Sequence, residues 1–449
     1  MKLQYTSWIS DENKGLSNSK NKNVNSVLNS FLEANEEVGA PCWWDEVQTR
    51  GTPLILSQDN TSVELLFLWR NTDDSIEEIY IDINGITDHH SFDMERLTHV
   101  KGTDVWFYKT RVNNTWRGSY AFIPVTHKRV QPAYLGTYQE KRIMHREWLR
   151  TIFPLSVRDD LSKHNLSACE WGRSKTPLSM PKALSQSAWS RFDTKNGDVQ
   201  ARANMKLTWA SQCLGNERHV WLYSTASADQ IAELPLILIL DGQFWSESMP
   251  LFSALTDATS SDQIPPAFYV FIDEINGALR SQELSCNPFF WQAITQELLP
   301  LVGRYFPITN DASRTAVVGQ SLGGLSAMYA GLNHPDRFGA IVCQSGSFWW
   351  PDFSLVKPPS EYSPFQTSEP LTQMSQLVHS GLGSNVKLSV FMEVGLGEDV
   401  MVDLSQDLYQ QLKQQNHRLS FRIFDGGHER LCWRGGLIDG LSYVFNFES

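Results

Sequence analysis

The stretch RTAVVGQSLGGLSAMYAGL, residues 314–332, decides the fold of this chain. Its first part, Arg314–Gly319, is a short β-branched run typical of a buried parallel strand. The part from Leu322 to Leu332 is rich in Leu, Ala and Met, and Pro335 follows it as proline follows a helix. Between the two parts, residues 319–323 have the spacing G-x-S-x-G. The stretch therefore predicts a strand, a sharp turn and a helix, which is the context of a nucleophile elbow.

Ser321 lies at the turn of this elbow. There a serine is held in a strained backbone conformation, and Gly319 and Gly323 are expected to let strand and helix pass close together. The amide of Leu322 lies at a helix N-terminus and is expected to donate to an oxyanion. The alternative is a glycine-rich turn with an inert serine. On this context we predict that Ser321 is a nucleophile.

A serine hydroxyl needs a base, which this arrangement places later in the chain. Among the histidines beyond His334, His379 and His428 are the two candidates considered. His379 falls in a predicted loop before a strand, whereas His428 follows a predicted strand, Leu419–Phe424, and a tight turn. A loop after the last strand is where this fold class presents its base. We therefore predict that His428 is the base.

The third member of a triad is expected on the loop after the predicted strand Lys387–Val394. This loop offers Glu398 and Asp399, and Asp403 lies a turn further on. A carboxylate here would hold the imidazole in the correct tautomer and stabilise the imidazolium. The same acids would equally serve to cap or solvate the following helix, since acids favour a helix N-terminus. The residues leave this choice open, with Glu398 favoured over Asp399.

Composition narrows the class of protein. The chain has 449 residues, 41% of them hydrophobic, and a net charge of −12, which disfavours nucleic acid or an anionic membrane as partner. Its longest apolar stretch, residues 234–240, is too short to span a bilayer. The first twenty residues predict no secretory signal, and six cysteines without a C-x-x-C pair indicate reduced thiols. These features predict a cytoplasmic protein, and no zinc-site spacing is present.

Two domains are predicted. From residue 205 to 449, apolar strands alternate with helices, which predicts an α/β catalytic domain with a mostly parallel sheet covered on both faces. Residues 1–204 are assigned to an amino-terminal domain whose core, at about 53–125, has the strand spacing of an all-β immunoglobulin-like sandwich. Residues 126–205 read as irregular, with a Ser/Pro-rich linker at 174–190. One short helix is expected around residues 27–36.

Several motifs resemble a known family, the enterochelin (enterobactin) esterases, which are cytoplasmic hydrolases of ferric catecholate siderophores. The resemblance covers most of the chain, and its motifs are GITDHH, GTDVW and WRGSYAFIP in the first half and LDGQFW, QSGSFWWP and DGGHERLCWRGGL in the second. It implies an α/β-hydrolase domain of the esterase-D type behind an immunoglobulin-like domain. Ser321 and His428 match the family's nucleophile and base. Glu398 matches its carboxylate position, although some relatives work with a Ser–His pair alone.

The resemblance also implies a substrate, a cyclic trilactone of N-(2,3-dihydroxybenzoyl)serine whose catecholates chelate Fe(III). Iron then enters only as part of the substrate, and no cofactor or protein-bound metal is expected. An anionic, aromatic complex calls for cations and aromatic walls. Trp349 and Trp350 are favoured because loops at strand carboxyl ends face the site, although core packing is as plausible for any one tryptophan. The full set of predicted substrate-binding residues is Arg117, Trp245, Arg280, Trp349, Trp350 and Arg434.

Other interpretations stay open. One is another esterase-D-type hydrolase, such as a feruloyl or acyl esterase, and a second is a siderophore-binding protein with an inactive site.

The amino-terminal domain is expected to close over the substrate and to supply Arg117, but it would equally serve as a stability or dimer module. Asp88-His89-His90 is not expected to bind a metal, because neighbouring residues on a strand point to opposite faces. Residues 351–370 are read as a surface loop in preference to a flap. The oligomeric state is left open.

Overall fold

The structure is a computed structural model that describes residues 37–164, 168–170, 173–194, 202–227, 234–356 and 369–445. The short helix expected around residues 27–36 lies outside the described residues, and so does most of the loop expected at 351–370.

Two four-stranded antiparallel sheets form the amino-terminal region. One has the order β1-β2-β5-β4 and the other the order β3-β6-β8-β7. The core predicted at about 53–125 does consist of strands, which are β1 to β6. The bounds are β1 Leu54–Gln58, β2 Ser62–Arg70, β3 Ile76–Ile83, β4 Thr98–His99, β5 Val105–Asn113, β6 Arg117–Thr126, β7 Ala168–Glu170 and β8 Arg173–Ser179.

Alternate residues of these strands build the core between the two sheets. Val63, Leu65 and Phe67 of β2 and Ile79 and Ile81 of β3 belong to one buried cluster. Side chains two apart on a strand share a face, so this period of two turns each strand's apolar side towards the other sheet. The first domain is therefore a sandwich of two sheets, and β8 extends it to residue 179.

The expectation that residues 126–205 are irregular was wrong. They contain strands β7 and β8 and a helix of 15 residues, α2, whose Thr137 and Glu140 form a reciprocal capping box. The buried residues His145, Trp148, Leu149 and Ile152 have the spacing of one helix face, so the signal was present in the sequence. The helices of this half are α1 Pro41–Arg50, α2 Tyr138–Ile152 and α3 Ser190–Thr194.

An eight-stranded sheet with the order β16-β15-β14-β13-β11-β12-β10-β9 forms the second half. The pairs β9–β10 and β10–β12 are antiparallel and all other neighbours are parallel. The predicted, mostly parallel sheet is therefore confirmed. The bounds are β9 Met205–Ser211, β10 Asn216–Ser224, β11 Leu236–Ile239, β12 Phe268–Ile272, β13 Thr315–Gln320, β14 Ala340–Gln344, β15 Ser389–Gly395 and β16 Arg418–Phe424.

Helices cover both faces of this sheet. Val317 of β13 lies in one buried cluster, whereas Ala316 and Val318 lie in the other, as expected for a strand that is apolar on both sides. The bounds are α4 Phe252–Ser260, α5 Gly277–Leu284, α6 Pro288–Ala293, α7 Leu299–Val302, α8 Leu322–Asn333, α9 Gln373–His379, α10 Val400–Lys413 and α11 Arg430–Phe445.

The helical segment between residues 288 and 302 is not regular. A π-helical segment, Ile294–Leu298, separates α6 from α7. Pro300 lies in the first turn of α7 and has no amide to donate, so the regular hydrogen-bond ladder is interrupted there. No helix of the described residues is long and apolar enough to cross a membrane.

Candidate active site

Ser321 lies between β13 and α8 with φ 59° and ψ −122°, a strained conformation for a residue other than glycine. A Cβ on Gly319 would lie 2.1 Å from the carbonyl oxygen of Gly323, so no side chain fits at residue 319. At Gly323 there is space for a side chain, because a Cβ added there would lie 3.6 Å from the nearest atom, Asp241 Oδ2. The expected steric need for glycine is therefore met at Gly319, and the same expectation for Gly323 was wrong.

Leu322 is the first residue of α8. The first amides of a helix have no partner within the helix, so the backbone N–H of Leu322 is available beside the nucleophile. Its role as an oxyanion donor stays a prediction.

His428 lies on the loop between β16 and α11, and its Nδ1 is 2.5 Å from Oε2 of Glu398. Glu398 is buried in a short 3₁₀ turn after β15. Its other oxygen, Oε1, accepts hydrogen bonds from Ser345 Oγ at 2.6 Å and from the amide of Gly395 at 2.7 Å. Three contacts thus fix the carboxylate, which in turn orients the imidazole.

The other candidates for the acid and the base do not form this contact. Asp399 directly follows Glu398 with a φ of 45°, and burial, followed by the carboxylates of Asp88 and Glu398, raises its pKa. Asp403 lies in the first turn of α10. His379 ends α9, where its Nδ1 is 3.0 Å from Gln411 Oε1. The carboxylate that the structure places on His428 is therefore Glu398, and its catalytic role stays a prediction.

The turn after β14 joins the nucleophile to this pair. The amide of Ser321 donates to the carbonyl of Gln344 at 3.0 Å, and the next residue, Ser345, donates to Glu398. Ser345 also accepts a hydrogen bond from Trp433 Nε1 at 2.9 Å, and the Trp433 ring lies edge-on to His428 with centroids 4.7 Å apart. The loop that carries the predicted acid and the helix that follows the predicted base are thus joined to the turn after β14, which also contacts Ser321.

Ser347 is a residue of the site that the sequence reasoning missed. Its Oγ lies 3.2 Å from Oγ of Ser321, and its amide donates to the carbonyl of Ser321 at 3.0 Å. Of the motif QSGSFWW, only the two tryptophans were predicted to take part in the site. Its two serines, Ser345 and Ser347, follow the carboxyl end of a parallel strand, and that position was the available signal.

Trp349 and Trp350 continue the same turn and are half-buried. The amide of Trp350 donates to the carbonyl of Ser347 at 3.0 Å, and the Trp349 ring lies 4.4 Å from that of the exposed Phe353. Both tryptophans therefore lie within three residues of the serine that contacts Ser321. Their predicted contact with substrate stays a prediction.

Two other predicted substrate-binding residues are buried behind the elbow. Trp245 is fully buried and donates to Gln320 Oε1 at 3.0 Å. Arg280 is buried in a two-point ion pair with Asp241, at 2.6 and 2.8 Å, and lies 2.9 Å from Glu274. Trp245 is thus part of the core, and the charge of Arg280 is already matched by the carboxylate of Asp241. Neither position fits direct contact with a bulky ligand.

Arg434 also differs from the expectation. It is buried on α11, where its guanidinium makes two hydrogen bonds to Asp193, at 2.8 and 2.7 Å, and lies 5.0 Å from the centre of the Trp189 ring. Asp193 and Trp189 belong to the segment that precedes β9. Arg434 therefore holds that segment against α11 and does not face a ligand cleft.

Arg117 lies between the sandwich and the second half of the chain. Its guanidinium donates to Ser179 Oγ at 2.8 Å and to the carbonyl of Leu184 at 2.5 Å. Burial, and next the charge of Arg434, lower the pKa of Arg117 to about 10. It lines a shallow cleft with Asp425 and Glu393, among other residues. Its predicted contact with substrate stays a prediction.

Asp88-His89-His90 forms a turn and not a strand, so the premise of opposite faces was wrong. The two imidazole rings lie 4.3 Å apart, and His89 Nδ1 is 3.4 Å from Asp82. Among the described residues, no group of three or more His, Cys, Asp or Glu side chains is arranged to hold a metal ion.

Comparison with known proteins gives matches over nearly the whole chain. The family described as "Enterochelin esterase, N-terminal" matches residues 64–189, and "Putative esterase" matches residues 211–444. The iron(III) enterobactin esterase of Dickeya dadantii (strain 3937) is 39% identical and covers 92% of this chain and 94% of its own length. That of Escherichia coli (strain K12) is 36% identical and covers 90% and 96%.

Solved structures agree with these matches. The ferric enterobactin esterase of Salmonella typhimurium has a TM-score of 0.77 at 35% identity and covers 90% of this chain and 98% of its own. The enterobactin esterase of Shigella flexneri, solved in the presence of enterobactin, has a TM-score of 0.73 at 34% identity and covers 91% and 99%.

An elbow serine, a histidine paired with a buried carboxylate and an esterase-family domain define a carboxylic ester hydrolase. The resemblance stated from the motifs is confirmed at this point. The chain belongs to the iron(III) enterobactin esterase family.

Proposed function

We propose that this protein is a serine esterase that hydrolyses the serine-ester bonds of ferric enterobactin or a related catecholate trilactone. The observation that carries the proposal is the Glu398–His428 contact of 2.5 Å beside an elbow serine, in a chain that matches enterobactin esterases over about nine-tenths of its length. Iron enters this reaction only as part of the substrate, and the protein is proposed to need no cofactor of its own.

The site supports the following chemistry. When Nδ1–H of His428 donates to Glu398, the lone pair of the imidazole lies on Nε2, and this atom takes the proton of Ser321. Oγ of Ser321 then bonds to the ester carbon, and the oxyanion is placed beside the amide of Leu322. When the ester C–O bond breaks, the leaving serine hydroxyl takes the proton from His428. Water, activated by the same imidazole, hydrolyses the acyl-enzyme and restores Ser321.

We also propose that the sandwich is of the immunoglobulin type. Support comes from the strand order, because β1-β2-β5-β4 and β3-β6-β8 correspond to the A-B-E-D and C-F-G sheets of a constant-type domain, with β7 added at one edge. The segment between β6 and β8, which carries α2, is then an insertion between the sixth and seventh strands.

We propose the partner from the charge of the chain and the location from its family resemblance. A net charge of −12 supports a small-molecule substrate in preference to nucleic acid or an anionic membrane. The cytoplasm is proposed as the location because the motifs of this chain resemble those of a family of cytoplasmic hydrolases. Cell fractionation checks this proposal.

Product analysis tests the proposed function. The protein is incubated with ferric enterobactin and, separately, with feruloyl esters, and the products are identified by mass spectrometry, with Ser321→Ala as the matched control. We expect linearised and shorter 2,3-dihydroxybenzoylserine products from the wild-type protein alone. Cleavage of feruloyl esters without cleavage of ferric enterobactin would support the other esterase class. Binding of ferric enterobactin without any product would support a siderophore-binding protein.

A further inference from the structure

The sandwich contacts the loop that carries His428. At the start of β6, the backbone N–H of Arg117 donates to the carbonyl of Asp425 at 3.0 Å. The hydroxyl of the exposed Thr115 donates to the Asp425 carboxylate at 2.5 Å. The carbonyl of Arg117 also accepts a hydrogen bond from Cys432 Sγ at 3.2 Å. The beginning of β6 therefore lies along residues 425–432 and is joined to them by backbone as well as side-chain groups.

Glycines lie at the contact between the sandwich and the two loops that carry His428 and Glu398. Gly85, after β3, has a φ of 67°, and its Cβ would lie 3.1 Å from Cα of Gly427, which precedes His428. A Cβ on Gly397, which precedes Glu398, would lie 2.5 Å from the carbonyl oxygen of Gly85. The amide of Gly397 also donates to the carbonyl of Gly426 at 2.9 Å. The end of β3 thus packs, backbone against backbone, at the point where the loop of His428 (the base loop, residues 425–429) meets the loop of Glu398 (the acid loop, residues 396–399).

Ser119 makes the most buried of these contacts. Its side chain is fully buried and donates to Oε2 of Glu429 at 2.5 Å, and Glu429 is 1% exposed. Glu429 directly follows His428, and its carbonyl accepts the amides of Cys432 and Trp433 at the start of α11. A hydrogen bond to a buried carboxylate is among the stronger kinds, and loss of its donor leaves charge poorly solvated. Ser119 therefore holds the residue at which the base loop turns into α11.

We propose that Ser119 of the sandwich is a positioning residue for His428, so that the amino-terminal domain sets the geometry of the catalytic pair. The proposal rests on the proposed ester hydrolysis but not on the siderophore. A displacement of about 1 Å at a reacting group costs about 10²-fold in rate, so a shift of the base loop lowers kcat for any ester. A domain that acts only as a lid affects the bulky substrate alone, through KM.

The experiment compares two substrates on the full chain. Ser119→Ala is assayed with ferric enterobactin and with p-nitrophenyl butyrate, which is too small to need a lid. We expect kcat to fall 10- to 100-fold on both substrates by about the same factor, with KM changed less than about twofold. Ser156→Ala is the matched control, because Ser156 is a buried serine of the same sandwich region whose hydroxyl has no hydrogen-bond partner among the described residues, and it is expected to keep wild-type kcat.

Two further measurements keep the test decisive. Thr115→Val removes the exposed contact to Asp425 without disturbing a buried group, and we expect a smaller fall in kcat that is again equal on both substrates. The double variant Ser119→Ala, Glu429→Gln should lose less than the sum of its single variants, because the two residues act through one contact. Wild-type kcat on p-nitrophenyl butyrate in Ser119→Ala and Thr115→Val, or a loss confined to KM for ferric enterobactin, would overturn the proposal. A wild-type protein that cleaves only the small ester would refute the siderophore assignment and leave the positioning test intact, whereas one that cleaves neither ester would overturn both.

Discussion

Oε2 of Glu398 lies 2.5 Å from Nδ1 of His428, although the two residues belong to loops that follow different strands. Oε1 of the same carboxylate is occupied by two donors, Ser345 Oγ and the amide of Gly395. These two donors therefore orient the carboxylate independently of the imidazole. This arrangement makes the choice of acid a matter that single substitutions can decide.

We expect Glu398→Gln to lower kcat by about 10²- to 10⁴-fold. The glutamine oxygen would keep the donors Ser345 and Gly395, so its NH₂ group would face His428 Nδ1 and favour the wrong tautomer. Asp399→Asn should keep kcat within about threefold, since asparagine tolerates the positive φ at this position. Steady-state kinetics on ferric enterobactin checks both. A larger loss in Asp399→Asn would move the acid by one residue, and no loss in either would leave a Ser–His pair.

The elbow allows a matched pair of glycine substitutions. Gly319→Ala would place a methyl group 2.1 Å from the carbonyl oxygen of Gly323, so we expect the free energy of unfolding to fall by about 3 kcal/mol or more. Gly323→Ala meets its first neighbour at 3.6 Å and lies in a helix, so it should change stability by no more than about 1 kcal/mol. Urea denaturation measures both. Equal effects would contradict the close approach at Gly319.

The half-buried carboxyl of Glu274 is expected to make stability depend on pH. Burial, and next the carboxylate of Asp241, raise the pKa of Glu274 from 4.5 to about 7. The folded protein then retains a proton that the unfolded chain releases, so this group's stabilising contribution is complete below pH 4.5 and is lost as the pH rises through about 7.

Glu274→Gln removes this titration. The free energy of unfolding of the variant, minus that of the wild type, should rise between pH 5 and pH 7 and level off above it, as measured by urea denaturation at pH 5, 6, 7 and 8. A difference that stays constant over this range would show that Glu274 does not hold the proton.

Trp349 is expected to contribute to substrate binding and not to chemistry. In Trp349→Ala we expect KM for ferric enterobactin to rise several-fold, because an aromatic surface beside the elbow is lost, and kcat on p-nitrophenyl butyrate to stay within about twofold. Phe289→Ala is the control, since Phe289 is an exposed aromatic residue beside Cys213, at the opposite edge of the sheet. Equal KM values for both variants and the wild type would remove Trp349 from the binding site.

Local sequence predicted the elbow well. Its strand, turn and helix lie within one stretch of about twenty residues, and the close approach of Gly319 to Gly323 is internal to that stretch. Helix α2 was missed although its capping box and its buried face are equally local. That error came from the polar composition of the helix and not from a missing signal.

Long-range contacts explain the other differences. Arg280 pairs with Asp241, 39 residues away, and Arg434 pairs with Asp193, 241 residues away. From the sequence alone, each of these arginines was expected to bind an anionic ligand. The carboxylate that matches its charge is distant in sequence, and only the fold places the two together. Ser119 escaped notice for the same reason, since its partner Glu429 lies 310 residues further on.

The rate of Ser321→Ala on ferric enterobactin tests the central claim most directly. Single-turnover mass spectrometry of the products gives this rate even when it is very low, and the wild-type protein, assayed in parallel, gives the reference. Loss of the nucleophile of such a unit costs on the order of 10⁶ in rate, so we expect product formation to fall to background while the variant stays folded. A variant that kept more than about a tenth of wild-type kcat would contradict Ser321 as the nucleophile.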